Sequence, residues 1–362
     1  IIFASGKNPI VPSTKGVQRP MPESSDLHDV TIIGGGPTGL FAAYYAGFRG
    51  ITSKIIDSLP ELGGQLTAAY PEKYIYDVAG FPKILAKDLV RNLVEQAMPC
   101  GPTVCLGESV QKLASAGEKR LWILTDRAEH WSRVLIITTG LGMYTPRSLR
   151  GSESFEGKGL YYTVTRTDEF LGKEILIIGG GDSAVDWALH LEQVASGITL
   201  IHQREQFRAH EENVRRLLNS TIAVKLSCRA KELRGEAHVR EVVIVNTKTK
   251  AEEVLRVDAV LACLGFSSDL GPMADWGLEL EGNDAIRVNT KMETNIAGVY
   301  AAGDVTAFPG KVKLIATGFG EAATAVNNSA HYINPGVKVF PGYSTTIMKQ
   351  RERKKTKHDT SA

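Results

Sequence analysis

No pair of cysteines stands at Cys-x-x-Cys spacing; Cys100, Cys105, Cys228 and Cys263 are scattered along the chain. A dithiol motif is therefore absent, and the four read as structural thiols of a protein in a reducing, cytoplasmic compartment. No apolar run approaches the ~20 residues of a membrane-spanning helix, so no membrane association is expected. Residues 1–27, rich in proline, serine and lysine, lack the apolar stretch of a secretory signal and read as a flexible tail. An excess of either charge is missing too. The 42 Lys and Arg face 40 Asp and Glu, a net charge of +2. Such a balance argues against wholesale nucleic-acid binding and confines any basic surface to local patches. No metal is expected.

What the chain does have is glycine in two matching places. "TIIGGGPTGL" spans residues 31–40 and "ILIIGGGDSAV" spans 175–185. Each is a β-rich apolar run, a glycine cluster and the start of a helix of small residues, the beginning of a βαβ unit. Around the first copy the pattern predicts a helix over 40–49, a strand over 53–58 and a helix over 86–98. Further strands are expected at 121–126 and 133–140. Around the second it predicts a strand over 174–179, a helix over 182–195 and a strand over 198–203. Short β-rich segments fill 222–262, and a long helix is expected over 313–332. The whole reads as α/β, with two Rossmann-like dinucleotide-binding domains.

The two copies end differently. In Gly34-x-Gly36-x-x-Gly39 the first glycine permits the tight turn, the second lets backbone approach a pyrophosphate, and the third lets helix pack on strand. The phosphates then meet the helix N-terminus. Asp57 closes the next strand, where a carboxylate accepts hydrogen bonds from a free ribose and repels a 2′-phosphate. That site suits FAD or NAD(H). In Gly179-x-Gly181-x-x-Ala184, with Asp182 and Ser183 as the two intervening residues at the helix start, the corresponding strand runs into "HQREQFRAH". Arg204 and Arg208 stand where the first site has its acid, and guanidinium groups match a 2′-phosphate in charge and shape. The second site is read as an NADPH site.

From about residue 29 to 348 the chain resembles the two-dinucleotide flavoprotein reductases of the thioredoxin-reductase-like class. Within it, the chain is most similar to the ferredoxin–NADP+ reductases of that type. The segments "TIIGGGPTGLFAAYY", "GGGDSAVDWAL" and "METNIAGVYAAGDV" are shared across the superfamily. Of the further segments "GGQLTAAYPEKYIYDVAGFP" and "GKVKLIATGFGEAATAVNN", the parts "YPEKYIYDVAGFP" and "GKVKLIATGFGEA" are narrower signals. The resemblance implies a discontinuous FAD domain (28–147 and 287–340), an inserted NADP(H) domain (148–286) and a C-terminal extension (341–362) with a basic tail.

It further implies FAD pyrophosphate at Gly34–Gly39 with Thr38 nearby, the adenosine ribose on Asp57, and Gln65 at the flavin end. Tyr70 would stack on one flavin face, Val110 would touch the adenine through backbone, and Tyr144 would lie near the cofactor. Asp304 would bind the ribityl chain. In this class the segment matching "GYSTTIM" covers the flavin of the other subunit of a homodimer. That places Tyr343 on the second face, with Ser344 and Thr345 beside it. Where relatives carry two adjacent arginines after the histidine, this chain has Gln203 and Arg204, which weakens the case for NADPH over NADH.

The region matching the thioredoxin-reductase dithiol, residues 157–174, contains no cysteine, so disulfide reduction by that route has no starting nucleophile. The expected outlet is a ferredoxin or flavodoxin, steered by local basic groups: the run 349–357, and Lys311 and Lys313 as surface lysines. Two other readings stay open: an NAD(P)H-dependent flavin oxidoreductase that uses quinone, oxygen or peroxide, and a redox-sensing flavoprotein without turnover.

Overall fold

The computed structural model describes residues 27–117, 119–142, 145–267, 269–282 and 284–345. The tail 1–26, Tyr144 and the basic run 349–357 lie outside the described residues. The chain divides into two compact units.

The first unit comprises residues up to 67, 74–143 and 269 onward. Its sheet runs in the order Thr103–Leu106, Ser53–Asp57, Leu27–Ile33, Glu129–Ile137, Leu121–Thr125, Val110–Ser115. The first four are parallel neighbours and the last two are antiparallel additions. Burial explains the composition. Every residue of Ser53–Asp57 is buried, as are the last four of Leu27–Ile33, so these strands read as continuous apolar runs rather than alternating ones.

The nine-residue strand Glu129–Ile137 divides one of its edges. Its first half pairs with Leu121–Thr125, and its second half pairs in parallel with Val299–Ala301. The helix Pro37–Arg49 ends at Gly50, whose φ of 74° supplies the left-handed C-cap. The expected helix over 313–332 is Ile315–Ile333.

The second unit comprises residues 68–73 and 144–268. Its parallel sheet has the order Leu160–Tyr161, Ala259–Ala262, Glu174–Ile178, Gly197–His202, Ala223–Leu226. A three-stranded antiparallel sheet, Cys228–Arg234, Glu241–Asn246 and Glu252–Arg256, accounts for the β-rich stretch seen in the sequence. Trp187, Val185 and Leu191 of the helix Asp182–Leu191 pack on Ile175, Ile177 and Leu200 to form its core.

Two segments fall elsewhere than the sequence suggested. The expected junction at 286/287 lies inside the first unit, because residues from 269 onward belong there. Leu270, Met273, Trp276 and Leu278 pack with Ile123, Leu135 and Val299, and the Trp276 indole donates to the Gln111 carbonyl at 3.3 Å. Residues 68–73 group with the second unit instead of the first. Tyr70 packs on that unit's core, and Lys73 pairs with Asp186 at 2.6 Å.

Candidate functional site

The first fingerprint turn is closed by contacts that leave no room for side chains. Gly34 has φ of 103°, and a Cβ there would lie 2.5 Å from the Thr138 carbonyl oxygen. A Cβ on Gly39 would meet the Gly34 carbonyl oxygen at 1.9 Å. Gly36 differs: the nearest atom to a Cβ there is Gly64 Cα at 3.9 Å, an ordinary contact that leaves the position open. Gly36 is also the N-cap of the helix Pro37–Arg49, which has no side-chain capping bond. Packing thus explains the first and third glycines, and no contact among the described residues requires the second.

Asp57 is 7% exposed. Its Oδ2 accepts the Gly35 N–H at 2.5 Å and its Oδ1 accepts the Leu59 N–H at 2.8 Å. Burial pushes its carboxyl above the ordinary range, and those two backbone donors pull it back in part. Each oxygen still has acceptor capacity for a hydroxyl. The "GGQL" segment folds onto the same turn. The Gly63 N–H donates to the Gly35 carbonyl at 2.9 Å, and the Gln65 amide reaches the surroundings of Gly140, 3.5 Å from where a Cβ would stand. Thr138 donates through its hydroxyl to the Ile33 or Gly34 carbonyl. The neighbouring Thr139 hydroxyl is buried with no partner among the described residues. A buried orphan beside a glycine turn fits a polar ligand that the sequence motif had suggested.

Thr38 links this turn to the last segment of the unit. Its Oγ1 would stand 2.8 Å from a Cβ on Gly303 and 2.5 Å from one on Gly318. Gly34–Gly39, the Gly303–Asp304 turn and the first turns of the helix Ile315–Ile333 are therefore brought together. Asp304 is half-buried. Burial raises its carboxyl, Lys311 and Lys313 lower it, and Glu321 raises it.

Lys311 corrects the sequence reading. It is not a surface lysine: its side chain is 8% exposed and pairs with the equally buried Glu321. Lys313 is exposed. Val110 opens the strand Val110–Ser115, directly after Ser109, whose N–H donates to Asp126 at 2.8 Å. Tyr343 is 75% exposed and meets Phe340 edge-on at 5.6 Å; Ser344 and Thr345 are exposed beside it.

In the second unit, a Cβ on Gly181 would meet nothing within 4 Å, again an open helix start. Ala184 replaces the third glycine and is fully buried; its Cβ would lie 2.9 Å from one on Gly179. The arginine loop is tied to this turn. The Arg208 N–H donates to the Gly180 carbonyl at 2.7 Å, and Asp182 accepts the His210 N–H at 2.8 Å. Ser183, Gln203, Arg204 and Arg208 are exposed, so both guanidinium groups are open to an anion.

Sequence reasoning missed His202, whose ring packs under Gly180 and stacks on Phe207 at 5.7 Å. Its Nε2 is buried without a partner among the described residues. Burial lowers its pKa despite a backbone bond with Gln206, and Arg208 and Arg204 lower it further, so the ring is neutral at pH 7. The signal was present, since a histidine ending an apolar strand beside a glycine turn is an unusual core residue.

Elsewhere in the first unit Cys105, Glu108 and His130 converge closely enough for a cation. The cluster already carries its own counter-charges. The Glu108 Oε1 lies 2.6 Å from the Thr125 hydroxyl and 2.5 Å from His130 Nε2, and Lys54 Nζ is 3.0 Å from His130 Nδ1. A lysine ammonium in that position opposes a second cation.

Residues 28–329 match the family described as pyridine nucleotide-disulphide oxidoreductase, and the chain belongs to that family. A ferredoxin–NADP reductase of Halalkalibacterium halodurans is 53% identical over 330 residues, covering 90% of this chain and all of the relative. One from Geobacillus thermodenitrificans is 49% identical over 328 residues, covering 90% and 98%. Among solved structures, thioredoxin reductase of T. acidophilum superposes with a TM-score of 0.75 at 27% identity, covering 86% of this chain and 99% of that one. That of Lactococcus lactis gives 0.74 at 27%, covering 84% and 99%. The expected fold class and family both hold.

Proposed function

We propose that this chain is an FAD-dependent ferredoxin–NADP+ oxidoreductase. The observation that carries this reading is the pairing of two like glycine turns with opposite strand-end chemistry. One has a buried carboxylate, Asp57, and the other has two exposed guanidinium groups, Arg204 and Arg208. The naming of relatives about half identical over nine-tenths of the chain agrees with it.

Within the reading, Gly36 admits the FAD pyrophosphate to backbone N–H groups at the helix start, and Asp57 accepts the ribose hydroxyls. Thr38, Gln65 and Asp304 orient the remainder, Val110 borders the adenine, and Tyr70 and Tyr343 are the stacking rings. Gly179, Gly181, Asp182, Ser183 and Ala184 form the NADP(H) turn. When bound, the flavin supplies a hydride acceptor that releases electrons singly, chemistry that belongs to the cofactor. No side chain is needed as acid or base for hydride transfer. The partner is a ferredoxin, or a flavodoxin in its place, and the working form is a cytoplasmic homodimer.

The test is NADPH-driven cytochrome c reduction with and without added ferredoxin. Strong stimulation by ferredoxin is expected. Equal turnover without it would favour a flavin oxidoreductase with another acceptor, and bound FAD with negligible turnover would favour a sensor.

A separate expectation concerns the thiols. None of the four cysteines is in a disulfide, and burial pushes the Cys263 thiol up to about 12, far from a reactive thiolate. A variant with all four changed to serine should keep NADPH-dependent dye reduction within about twofold per FAD-loaded molecule, with a lowered Tm from lost packing. Loss of activity in protein that still carries FAD would bring back a thiol step.

A further inference from the structure

We propose that Lys311 and Glu321 are positioning residues of the flavin site, a buried ion pair that holds the Gly303–Asp304 turn by both polar backbone atoms of Gly303. The inference rests on the reading that Asp304 faces FAD. Glu321 Oε2 accepts the Gly303 N–H at 2.7 Å. Lys311 Nζ donates to the Gly303 carbonyl at 3.0 Å and, through a second hydrogen, to Glu321 Oε1. The Thr306 hydroxyl lies 2.8 Å from the same carbonyl and 3.2 Å from Glu321 Oε2. Both side chains of the pair thus bond Gly303 and each other, and the Thr306 hydroxyl completes the cluster.

Gly303 cannot be held in this way by a bulkier residue. Its φ is 85°, and a Cβ would lie 2.8 Å from Thr38 Oγ1. The turn is therefore pinned on one side by the fingerprint helix through Thr38, and on the other by Lys311 and Glu321. Asp304 is the next residue, so its carboxylate leaves the backbone from a point with little freedom.

A pair serving stability alone is a poor account, because taking two charges out of water offsets most of what their attraction returns. Their shared grip on a single glycine next to the proposed ligand accounts for the arrangement better. It also removes Lys311 from the partner-docking surface, since an 8% exposed ammonium bound to a carboxylate offers nothing to an acidic protein.

The test uses purified holoprotein: wild type, Lys311→Met, Glu321→Gln, the double variant Lys311→Met/Glu321→Gln, and Lys311→Arg. Flavin release is followed by fluorescence on dilution, and global unfolding by thermal melting. The single variants leave one charge buried alone and should melt lower. The double variant is neutral and should melt within about 5 °C of wild type. It should nevertheless release flavin about tenfold faster or more, the loss of one charge-assisted hydrogen bond. Lys311→Arg, which keeps the charge and loses the geometry, should melt like wild type and release flavin faster. If the double variant and Lys311→Arg both release flavin at the wild-type rate, or if release simply tracks melting across the set, the pair is structural only and the inference fails. A wild type that purifies without flavin would instead sink the flavin reading itself.

Discussion

Alanine at both Arg204 and Arg208 is expected to raise the KM for NADPH about a hundredfold and leave that for NADH nearly unchanged. Hydrogen bonds to charged groups contribute about 1.5–3 kcal/mol each, and two at the low end, as exposure demands, give that factor. The two residues are open to an anion. The loop that carries them is fixed to the glycine turn by the Arg208 N–H bond to Gly180, so the substitutions remove charge without freeing backbone. NADH lacks the 2′-phosphate, so it has little to lose. Steady-state kinetics with both nucleotides checks this. Equal losses for the two would show that the arginines do not read the phosphate, and the assignment of the second site to NADPH would fall.

The second large effect separates two glycines three residues apart. Gly39→Ala should destabilise the first unit by about 3 kcal/mol or more, because overpacking against fixed backbone has no inexpensive relaxation. The intruding Cβ would lie 1.9 Å from a carbonyl oxygen. Gly36→Ala should leave the melting of flavin-free protein within about 1 kcal/mol of wild type, since its Cβ meets only Gly64 Cα at 3.9 Å. Its φ of −71° suits any L-residue. Its FAD affinity should nevertheless fall more than tenfold, because the methyl group occupies the space through which a pyrophosphate reaches the helix start. Thermal melting and FAD titration of the two variants give the comparison. A Gly36→Ala protein that binds FAD normally would show that the first fingerprint holds no pyrophosphate.

Much of this architecture could be read from sequence because the evidence for it is local. An apolar strand, a glycine turn and a small-residue helix lie within about a dozen residues, and Asp57 and Arg204 follow each copy at comparable positions. The strands buried on both faces, such as Ser53–Asp57, announce themselves by composition. What escaped depends on contacts between distant segments. Nothing local marks residues 269–286 as part of the first unit, where Trp276 meets Gln111. Tyr70 packs on the second unit's core, a contact that nothing in its own motif announces. Lys311, in a glycine-proline loop, looks solvated until Glu321 is placed opposite it. A single carboxylate among the small apolar residues of "IATGFGEAATAV" was the available hint, since an isolated acid on such a helix face needs a partner.

The divided edge of the strand Glu129–Ile137 has a consequence for how the molecule is made. Its second half pairs with Val299–Ala301, and all of the second unit's main segment, residues 144–268, is synthesised between the two. As the chain leaves the ribosome, the first sheet waits with an open parallel edge while the inserted unit emerges whole. Domains generally fold as units during synthesis, so the inserted unit is complete first, and the unit that begins the chain is the last to close.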